Sequence, residues 1–480
     1  MGDVRGFLKV SRRKSDYRPA CERIKDFNDV SLLRPDPVSQ EQASRCMDCG
    51  TPFCVWACPL GNYIPEWNDL MYRGHWQRAY EMLRQTNNLP EVTGRVCPAL
   101  CEYSCVLGLN DNAVTIRENE LAVIEHAFAQ GLITARRPEK RTGKKVAVIG
   151  SGPAGLACAD QLNQAGHLVT VLEKDDAIGG VLRYGIPDFK LEKSILDRRI
   201  SLLTTEGIVF RPAVNAGVDI TKDELLRTFD AVCLTGGSRQ PRDLAIPGRE
   251  MDGIYFAMDF LIPQNRRLAG KMAPEEGPTA VGKQVVIIGG GDTGADCVGV
   301  ANRQKAGCVV QIELMPQPPE CRTNAYPWPR YPLLLKTSTS HEEGGERQWS
   351  VLTKRFLGAG GRVTSLECVR VEFPADPGKG CPVMREIPGS EFTVPVDLVI
   401  LAMGFVHPEH DRLLAGLGVG FDERGNVKTD ARFMTAQKGV FAAGDIRRGQ
   451  SLIVWAISEG RTAGHYIDTY LMGSTQLPRM

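Results

Sequence analysis

The sequence lacks a long hydrophobic run, a net charge of either sign and a recognisable export signal. No apolar stretch in its 480 residues approaches the roughly 20 residues that cross a bilayer. Its 58 Lys and Arg balance 57 Asp and Glu, which gives no electrostatic reason to expect nucleic acid or an anionic membrane as a partner. The first residues carry charges without an apolar core, unlike a secretory signal, so the sequence predicts a cytoplasmic location.

Cysteine is unevenly distributed. Of 15 cysteines, seven fall between Cys46 and Cys105. In a chain without an export signal, such a cluster is more typical of metal binding than of disulfides, which remain the alternative.

The length predicts two or three domains. Residues 1–143 have the pattern of helices and loops, with one amphipathic helix expected over Glu66–Gln85. A basic, turn-prone segment, Ala135–Lys145, then leads to a different pattern. From Lys145 a buried strand, a glycine-rich turn, a helix and a second strand follow one another, and the same series recurs near residue 284. This repeat indicates two dinucleotide-binding domains.

The first glycine-rich turn follows the strand KKVAVIG and has the dinucleotide fingerprint G-x-G-x-x-G. Its glycines permit a tight turn, a close approach of pyrophosphate to the backbone, and close helix–strand packing. Glu173 ends the second strand, where a carboxylate accepts the ribose hydroxyls of an adenosine. The candidate residues of this site are Gly150, Gly152, Ala154, Gly155, Glu173, Lys174, Gly180, Arg183 and Gly236.

The second fingerprint has Gly289, Gly291, Asp292, Thr293 and Gly294 as its candidate residues. Aligning LVTVLEK with VVQIELM places Leu314 at the position of Glu173, with Glu313 on the opposite face of the strand. The missing acid favours NADP over NAD, and Arg322 is the candidate for binding a 2′-phosphate. The alternative for Arg322 is a solvated loop residue.

A third segment, GVFAAGD, ends in Gly444 and Asp445 and precedes a long predicted helix. It resembles the segment that contacts the flavin in two-domain flavoprotein disulfide reductases, and the helix would direct its positive end at the flavin ring. The remaining cysteines of both nucleotide domains are scattered singly, at positions 158, 233, 297, 308, 321, 368 and 381. Because neither nucleotide domain has a C-x-x-C pair, disulfide reduction is not an expected activity of this chain.

The amino-terminal cysteines have two spacings. Cys46, Cys49, Cys54 and Cys58 form C-x2-C-x4-C-x3-C before a proline, and Cys97, Cys101 and Cys105 form C-x3-C-x3-C. Ferredoxins use a related run in which the fourth cysteine binds the other cluster of a pair, so the spacing predicts two [4Fe–4S] clusters and leaves one ligand to be found. Zinc is the main alternative.

Several motifs, in fixed order over essentially the whole chain, resemble the small (beta) subunits of bacterial NADPH-dependent glutamate synthases. They are CMDCGTPFC, CPLGNYIPEWNDL, RVCPALCEYSC, GSGPAGLACAD, GGVLRYGIPDFKL, GGGDTGADC, PQPPECRTNAYPWPRYP and AAGDIRRGQSLIVWAISEGR. The amino-terminal half of dihydropyrimidine dehydrogenase has the same arrangement. The resemblance implies one cluster on Cys46, Cys49, Cys54 and Cys105, and another on Cys58, Cys97 and Cys101. For its eighth ligand Glu120 is the matching position, with Cys21 and the absence of either as alternatives.

The implied fold is α/β, with two Rossmann-like domains of the flavoprotein disulfide reductase type after a helical iron–sulfur domain. The expected domains are 1–143 for the clusters, 144–253 and 407–480 for FAD, and 254–406 for NADPH. The implied function is the electron-input subunit of a hetero-oligomeric glutamate synthase. NADPH would reduce FAD, and the clusters would pass electrons to a large (alpha) subunit that makes L-glutamate from L-glutamine and 2-oxoglutarate. The alternatives are a reductase subunit for another acceptor, such as ferredoxin or a pyrimidine-reducing partner, and a non-catalytic cluster-bearing scaffold.

Overall fold

The computed structural model describes residues 2–374, 382–410 and 412–480, so Cys381 lies outside the described residues. Two parallel sheets follow an amino-terminal helical region. The helices are α1 (Gly6–Lys9), α2 (Ala20–Arg23), α3 (Asp36–Ala43), α4 (Phe53–Ala57), α5 (Ile64–Tyr72), α6 (Trp76–Thr86), α7 (Pro90–Val96), α8 (Leu100–Tyr103), α9 (Ile116–Ala129), α10 (Pro153–Gln164), α11 (Lys193–Glu206), α12 (Lys222–Thr228), α13 (Ala257–Leu268), α14 (Asp292–Arg303), α15 (Thr339–Glu342), α16 (Arg412–Leu417), α17 (Asp445–Arg448) and α18 (Ile453–Met472).

The strands of the described residues belong to four sheets. They are β1 (Lys145–Ile149), β2 (Leu168–Leu172), β3 (Val209–Arg211), β4 (Ala231–Leu234), β5 (Gln240–Pro241), β6 (Ile254–Phe256), β7 (Gln284–Ile288), β8 (Cys308–Ile312), β9 (Glu346–Gln348), β10 (Val351–Ala359), β11 (Arg362–Glu372), β12 (Arg385–Glu386), β13 (Phe392–Pro395), β14 (Leu398–Leu401), β15 (Phe405–His407) and β16 (Val440–Ala442).

The first parallel sheet has the order β16-β4-β1-β2-β3, so a strand from the carboxyl-terminal part of the chain completes it. The second has the order β6-β14-β7-β8-β9. The central strand of each sheet, β1 in the first and β7 in the second, is short, apolar and buried on both faces, as is typical of parallel sheets. The fold is therefore α/β, with two Rossmann-like units, as the sequence predicted.

Smaller antiparallel elements complete the molecule. Strands β10, β11, β12 and β13 pair beside the second parallel sheet, and β5 pairs with β15 where the chain passes between the two nucleotide-binding units. No helix among the described residues is long and apolar enough to cross a bilayer.

The amphipathic helix expected over Glu66–Gln85 is two helices. Helix α5 ends at Tyr72 and α6 begins at Trp76. Between them Gly74 adopts a φ of +75°, a left-handed conformation that glycine tolerates and that ends a helix. The apolar pattern continues because both helices bury one face in the same helical core, which includes Trp67 and Leu83.

Buried polar contacts join the helical region to the first sheet unit. Glu91 of α7 accepts two hydrogen bonds from Arg199 of α11, at 2.7 and 2.8 Å. The Arg461 guanidinium of α18 donates to the side-chain oxygen of Asn88 and to the carbonyl of Gln85. The cysteine-bearing helices are therefore fixed against the nucleotide-binding units.

Candidate functional site

One cavity of about 1670 Å³ connects the two glycine-rich turns. This exceeds the roughly 300–1,000 Å³ typical of a site for one drug-sized ligand. Of the residues predicted to bind nucleotides, those that line it are Gly150, Gly152, Ala154, Glu173, Lys174, Gly180, Gly236, Gly289, Gly291, Asp292, Thr293 and Asp445. The fold thus brings together, in one space, residues up to about 300 positions apart in sequence.

The first glycine-rich turn is fixed by the carboxylate of Glu173. Its Oε2 accepts hydrogen bonds from the backbone N–H of Ser151 at 2.9 Å and from the Ser151 hydroxyl at 2.6 Å. Its Oε1 accepts from the backbone N–H of Asp175 at 2.9 Å. The carboxylate stands at the end of β2 beside the turn, where an adenosine ribose would be met.

The second glycine-rich turn shows that the predicted alignment was wrong by one residue. Oε2 of Glu313 accepts from the backbone N–H of Gly290 at 2.6 Å, and Oε1 accepts from that of Met315 at 2.9 Å. Glu313, not Leu314, therefore occupies the position of Glu173. The cause is the register: Ile288 pairs with Ile312, as Ile149 pairs with Leu172, so the next residue after each strand is the acid.

Three predicted glycines do not line the cavity but permit close packing behind it. A Cβ on Gly155 would lie 2.0 Å from the carbonyl oxygen of Gly150, and one on Gly294 would lie 2.2 Å from that of Gly289. A Cβ on Gly444, whose φ is +78°, would lie 2.7 Å from the Ala154 Cβ. These glycines let the helices and the loop approach the two turns.

Two predicted arginines are outside the cavity lining. Arg183 donates to the carbonyl of Ile178 and pairs with Asp197. Arg322 donates to the backbone carbonyls of Tyr326 and Arg330, and at 2.8 Å to that of Tyr103. The Arg322 guanidinium therefore holds a loop against the helical region instead of extending to the nucleotide space.

Asp445 lies where the third segment meets the cavity. The Ser451 hydroxyl donates to its Oδ1 at 2.7 Å. Burial raises the pKa of Asp445 to about 6, against the opposing effect of this hydrogen bond. The first turn of α18, from Ile453, lies in the same wall, so the amino-terminal end of this helix borders the cavity.

Four cysteines surround a second, small cavity of about 20 Å³ in the helical region: Cys46, Cys49, Cys54 and Cys105. This is the set that the resemblance implied for one cluster. Burial raises the pKa of the Cys46 thiol to about 12, and the neighbouring Cys105 and Cys49 contribute. Such buried thiols hold their protons in the absence of a metal, and a metal centre supplies the positive charge that displaces these protons on binding.

The other three cysteines of the amino-terminal cluster, Cys58, Cys97 and Cys101, form a second group with Glu120. Burial raises the pKa of Cys58 to about 12 and that of Cys97 to about 11, and the charge of Glu120 adds to both effects. The pKa of Cys101 is also raised, by burial first and then by Cys58, Glu102, Cys97 and Glu120.

Glu120 itself is buried, and burial raises its pKa to about 7. Its Oε1 accepts from the Thr93 hydroxyl at 2.5 Å, and its Oε2 accepts from the Asn62 side-chain amide at 3.0 Å. Cys21, the competing position, is exposed on α2. Asn62 and Thr93 had no sequence signal of their own, because their role depends on the fold around Glu120.

The described residues contain no group of three His, Cys, Asp or Glu side chains close enough to hold a single metal ion. The first four cysteines instead line a common space. Four thiolates around a space are the donor set that a [4Fe–4S] cluster uses.

Cys97 connects the two kinds of site. It belongs to the group with Glu120, and it also lines the large cavity together with Pro98. An electron carrier held by this group would border the nucleotide space directly. With such a carrier in place, the group would lie between a dinucleotide in the cavity and the rest of the helical region.

Comparison with known proteins agrees with these features. Residues 23–132 match the 4Fe-4S cluster domain known as domain II of dihydropyrimidine dehydrogenase, and residues 144–325 and 369–460 match the pyridine nucleotide-disulphide oxidoreductase family. FprA of Mycobacterium tuberculosis, solved in complex with NADPH, superposes with a TM-score of 0.54 at 18% identity, over 69% of this chain and 85% of FprA. These matches define the class: a pyridine-nucleotide oxidoreductase fold with an attached iron–sulfur domain.

Full-length relatives define the family. The glutamate synthase [NADPH] small chain of Mycobacterium tuberculosis is 53% identical over 100% of this chain and 98% of its own length. The glutamate synthase [NADH] of Schizosaccharomyces pombe is 45% identical over 99% of this chain, which corresponds to 23% of that longer protein. The chain belongs to the family of glutamate synthase small chains.

Proposed function

We propose that this chain is the electron-input subunit of a glutamate synthase, an NADPH-dependent oxidoreductase that works with a large (alpha) subunit. In this role it oxidises NADPH and sends electrons to the large subunit, which makes L-glutamate from L-glutamine and 2-oxoglutarate. When bound, FAD accepts a hydride and releases electrons singly, which couples the nucleotide to iron–sulfur clusters. The single observation that carries the proposal is the position of Cys97, in the cysteine group and in the wall of the nucleotide cavity.

One nucleotide is proposed for each of the two glycine-rich turns. The first turn, with Glu173 and Asp445, is proposed for FAD, and the second, with Asp292 and Thr293, for the nicotinamide dinucleotide. Both turns offer backbone N–H groups at the start of a helix, which favours pyrophosphate. The proposed division of the chain is 144–253 and 407–480 for FAD, and 254–406 for the nicotinamide dinucleotide.

Two [4Fe–4S] clusters are proposed for residues 1–143. One is held by Cys46, Cys49, Cys54 and Cys105, the other by Cys58, Cys97, Cys101 and Glu120. Since Cys97 borders the cavity, Cys58, Cys97, Cys101 and Glu120 would hold the cluster nearer the nucleotide space, and this cluster would supply one-electron transfer between the flavin and the other cysteine set. The aromatic pair Phe53 and Trp56 lies beside the first cysteine set, and Trp56 is 69% exposed, which brings that set near the surface. Cysteines that bind a metal centre and do not form disulfides are typical of a reducing compartment, so we propose a cytoplasmic location.

The test is reconstitution with the large subunit from the same host. Affinity purification of the full-length chain from that host should recover a large subunit with glutaminase activity. The complex should oxidise NADPH only when both L-glutamine and 2-oxoglutarate are present. Oxidation that ignores these substrates, with ferredoxin or a pyrimidine-reducing protein recovered instead, would favour a reductase for another acceptor. A chain that binds zinc and no flavin would exclude electron input.

A further inference from the structure

The two glycine-rich turns of this chain are hydrogen-bonded to their glutamates in the same way. In each unit the first glycine of the turn donates its N–H to the last strand residue, Gly150 to Leu172 and Gly289 to Ile312, both at 2.8 Å. In each unit the following glutamate accepts from the next turn residue and from the residue two positions after itself. Glu313 is thus held by the same pair of hydrogen bonds as Glu173.

This position determines what a nucleotide can carry on its adenosine ribose. A carboxylate at the end of the second strand accepts a hydrogen bond from a free 2′-hydroxyl, whereas a 2′-phosphate there needs a nearby cation. Two backbone N–H groups fix the Glu313 carboxylate, so the side chain is not free to turn away without losing both bonds.

The cavity lining beside the second turn has charges of both signs. Among the described residues 289–342 it has four carboxylates, Asp292, Asp296, Glu313 and Glu342, and one cation, Lys336. Asp296 is paired with Lys190, which also lines the cavity, and Glu342 is paired with Arg23, so the charge that bears on the 2′ position is that of Glu313 itself. The Lys336 ammonium donates to the Tyr331 hydroxyl and lies over its ring, 4.8 Å from the centroid. Arg322, the expected phosphate partner, is bonded to backbone carbonyls elsewhere.

We infer that Glu313 sets the donor specificity of this chain and that its site accepts NADH as well as NADPH. The inference rests on the proposed function for the existence of a nicotinamide site, and it adds the residue that reads the ribose 2′ position. NADH gains a hydrogen bond from its 2′-hydroxyl to Glu313. NADPH keeps the pyrophosphate contacts of the second turn but meets the like charge of this carboxylate.

The test uses the full-length, FAD-loaded chain and compares the two donors. Bleaching of the flavin by NADH and by NADPH gives kcat/KM for each, and calorimetry gives the Kd of ADP-ribose and of 2′-phospho-ADP-ribose. Glu313→Gln should lower the NADH-to-NADPH ratio of kcat/KM by about tenfold, because a hydrogen bond to a charged acceptor is lost and a repulsion is removed. Glu320→Gln, which removes an equal charge from an exposed loop position outside the cavity lining, should leave the ratio unchanged.

The results distinguish a failure of the proposed function from a failure of the inference about Glu313. If neither donor bleaches the flavin, the proposed function itself fails. If NADPH bleaches it and NADH does not, or if Glu313→Gln changes the ratio less than threefold, the inference about Glu313 is overturned and the proposed function stands. Should Glu313→Gln fail to fold, the wild-type chain decides: ADP-ribose bound at least as tightly as 2′-phospho-ADP-ribose supports the inference, and weaker binding overturns it.

Discussion

Glu91 and Arg199 form an ion pair that joins the helical region to the first nucleotide-binding unit, and both side chains of the pair are buried. Both Glu91 side-chain oxygens accept from the guanidinium, at 2.7 and 2.8 Å, and the Glu91 side chain is 0% exposed. The pair lies between α7, which ends just before Cys97, and α11. It therefore holds the cysteine-bearing segment in place against the unit with the first glycine-rich turn.

Glu91→Ala should destabilise the protein by about 3–5 kcal/mol, because it leaves the Arg199 guanidinium buried without its partner. The double variant Glu91→Leu with Arg199→Met should recover most of this loss, since neither charge then remains buried. Denaturant unfolding of the wild type, Glu91→Ala and the double variant measures the differences in the free energy of unfolding. Glu386→Ala, which breaks the half-exposed pair with Lys354, is the control and should cost under about 1 kcal/mol. Equal losses in Glu91→Ala and the control would contradict the importance of the buried pair.

Two glycines of the first turn should respond differently to a methyl group. At Gly155 an added Cβ would lie 2.0 Å from the Gly150 carbonyl oxygen, so Gly155→Ala should cost about 1–3 kcal/mol of stability. At Gly152 a Cβ would meet nothing within 4 Å, so Gly152→Ala should leave stability nearly unchanged. Gly152→Ala should nevertheless weaken FAD binding about tenfold or more, because the pyrophosphate approaches this backbone closely. Thermal unfolding and flavin retention on gel filtration separate the two effects, and an unchanged flavin affinity in Gly152→Ala would argue against this turn as the FAD site.

The two cysteine groups should lose iron independently. Cys54→Ser and Cys101→Ser should each lower the iron content from about eight to about four per chain, since each removes a ligand from a different cluster. Cys308→Ser, at an exposed position on β8, is the matched control and should retain all the iron. Iron and acid-labile sulfide analysis gives the numbers. Four irons in the wild-type chain would indicate one cluster instead of two.

Acid should weaken the second nucleotide-binding unit through His341. Its Nε2 lies 2.8 Å from the Gln311 side-chain oxygen, and the Gln311 amide donates to the carbonyl of Gly289 in the second turn. Burial lowers the pKa of His341 from 6.5 to about 4, and the nearby charges of Arg347 and Lys190 add to this. The unfolded chain therefore binds more protons than the folded one between about pH 4 and 6.5. The stability that depends on neutral His341 is present above pH 6.5 and is lost as the pH falls through this range.

The expected loss is about 1–2 kcal/mol, reduced from the full value of the shift because the ring is partly exposed. Unfolding midpoints measured from pH 7.5 to 4.5 should fall less in His341→Gln than in the wild type. Replacing the exposed His75 with Gln should leave the pH profile of the wild type unchanged. A profile that is the same in all three proteins would show that His341 does not titrate in this range.

The sequence by itself determined the two Rossmann-like units, because each unit requires a buried strand, a glycine-rich turn and a helix in direct succession. The sequence also contains the close spacing of Cys46, Cys49, Cys54 and Cys58, and this spacing limits how far apart the four side chains can lie. The helix expected over Glu66–Gln85 was wrong in its continuity, because a single left-handed glycine, Gly74, divides it without disturbing the apolar period.

Only the tertiary structure decided which residues act together. Side chains alternate between the faces of a strand, so an alignment error of one residue exchanged Glu313 for Leu314, and only the pairing of β7 with β8 corrects it. The direction of Arg322 depends in part on the carbonyl of Tyr103, which is 219 residues away in the sequence. The position of Cys97 in the cavity wall likewise depends on how the helical region docks, through contacts such as Glu91 with Arg199. Local patterns specify elements, whereas these long-range contacts depend on packing that no local pattern encodes.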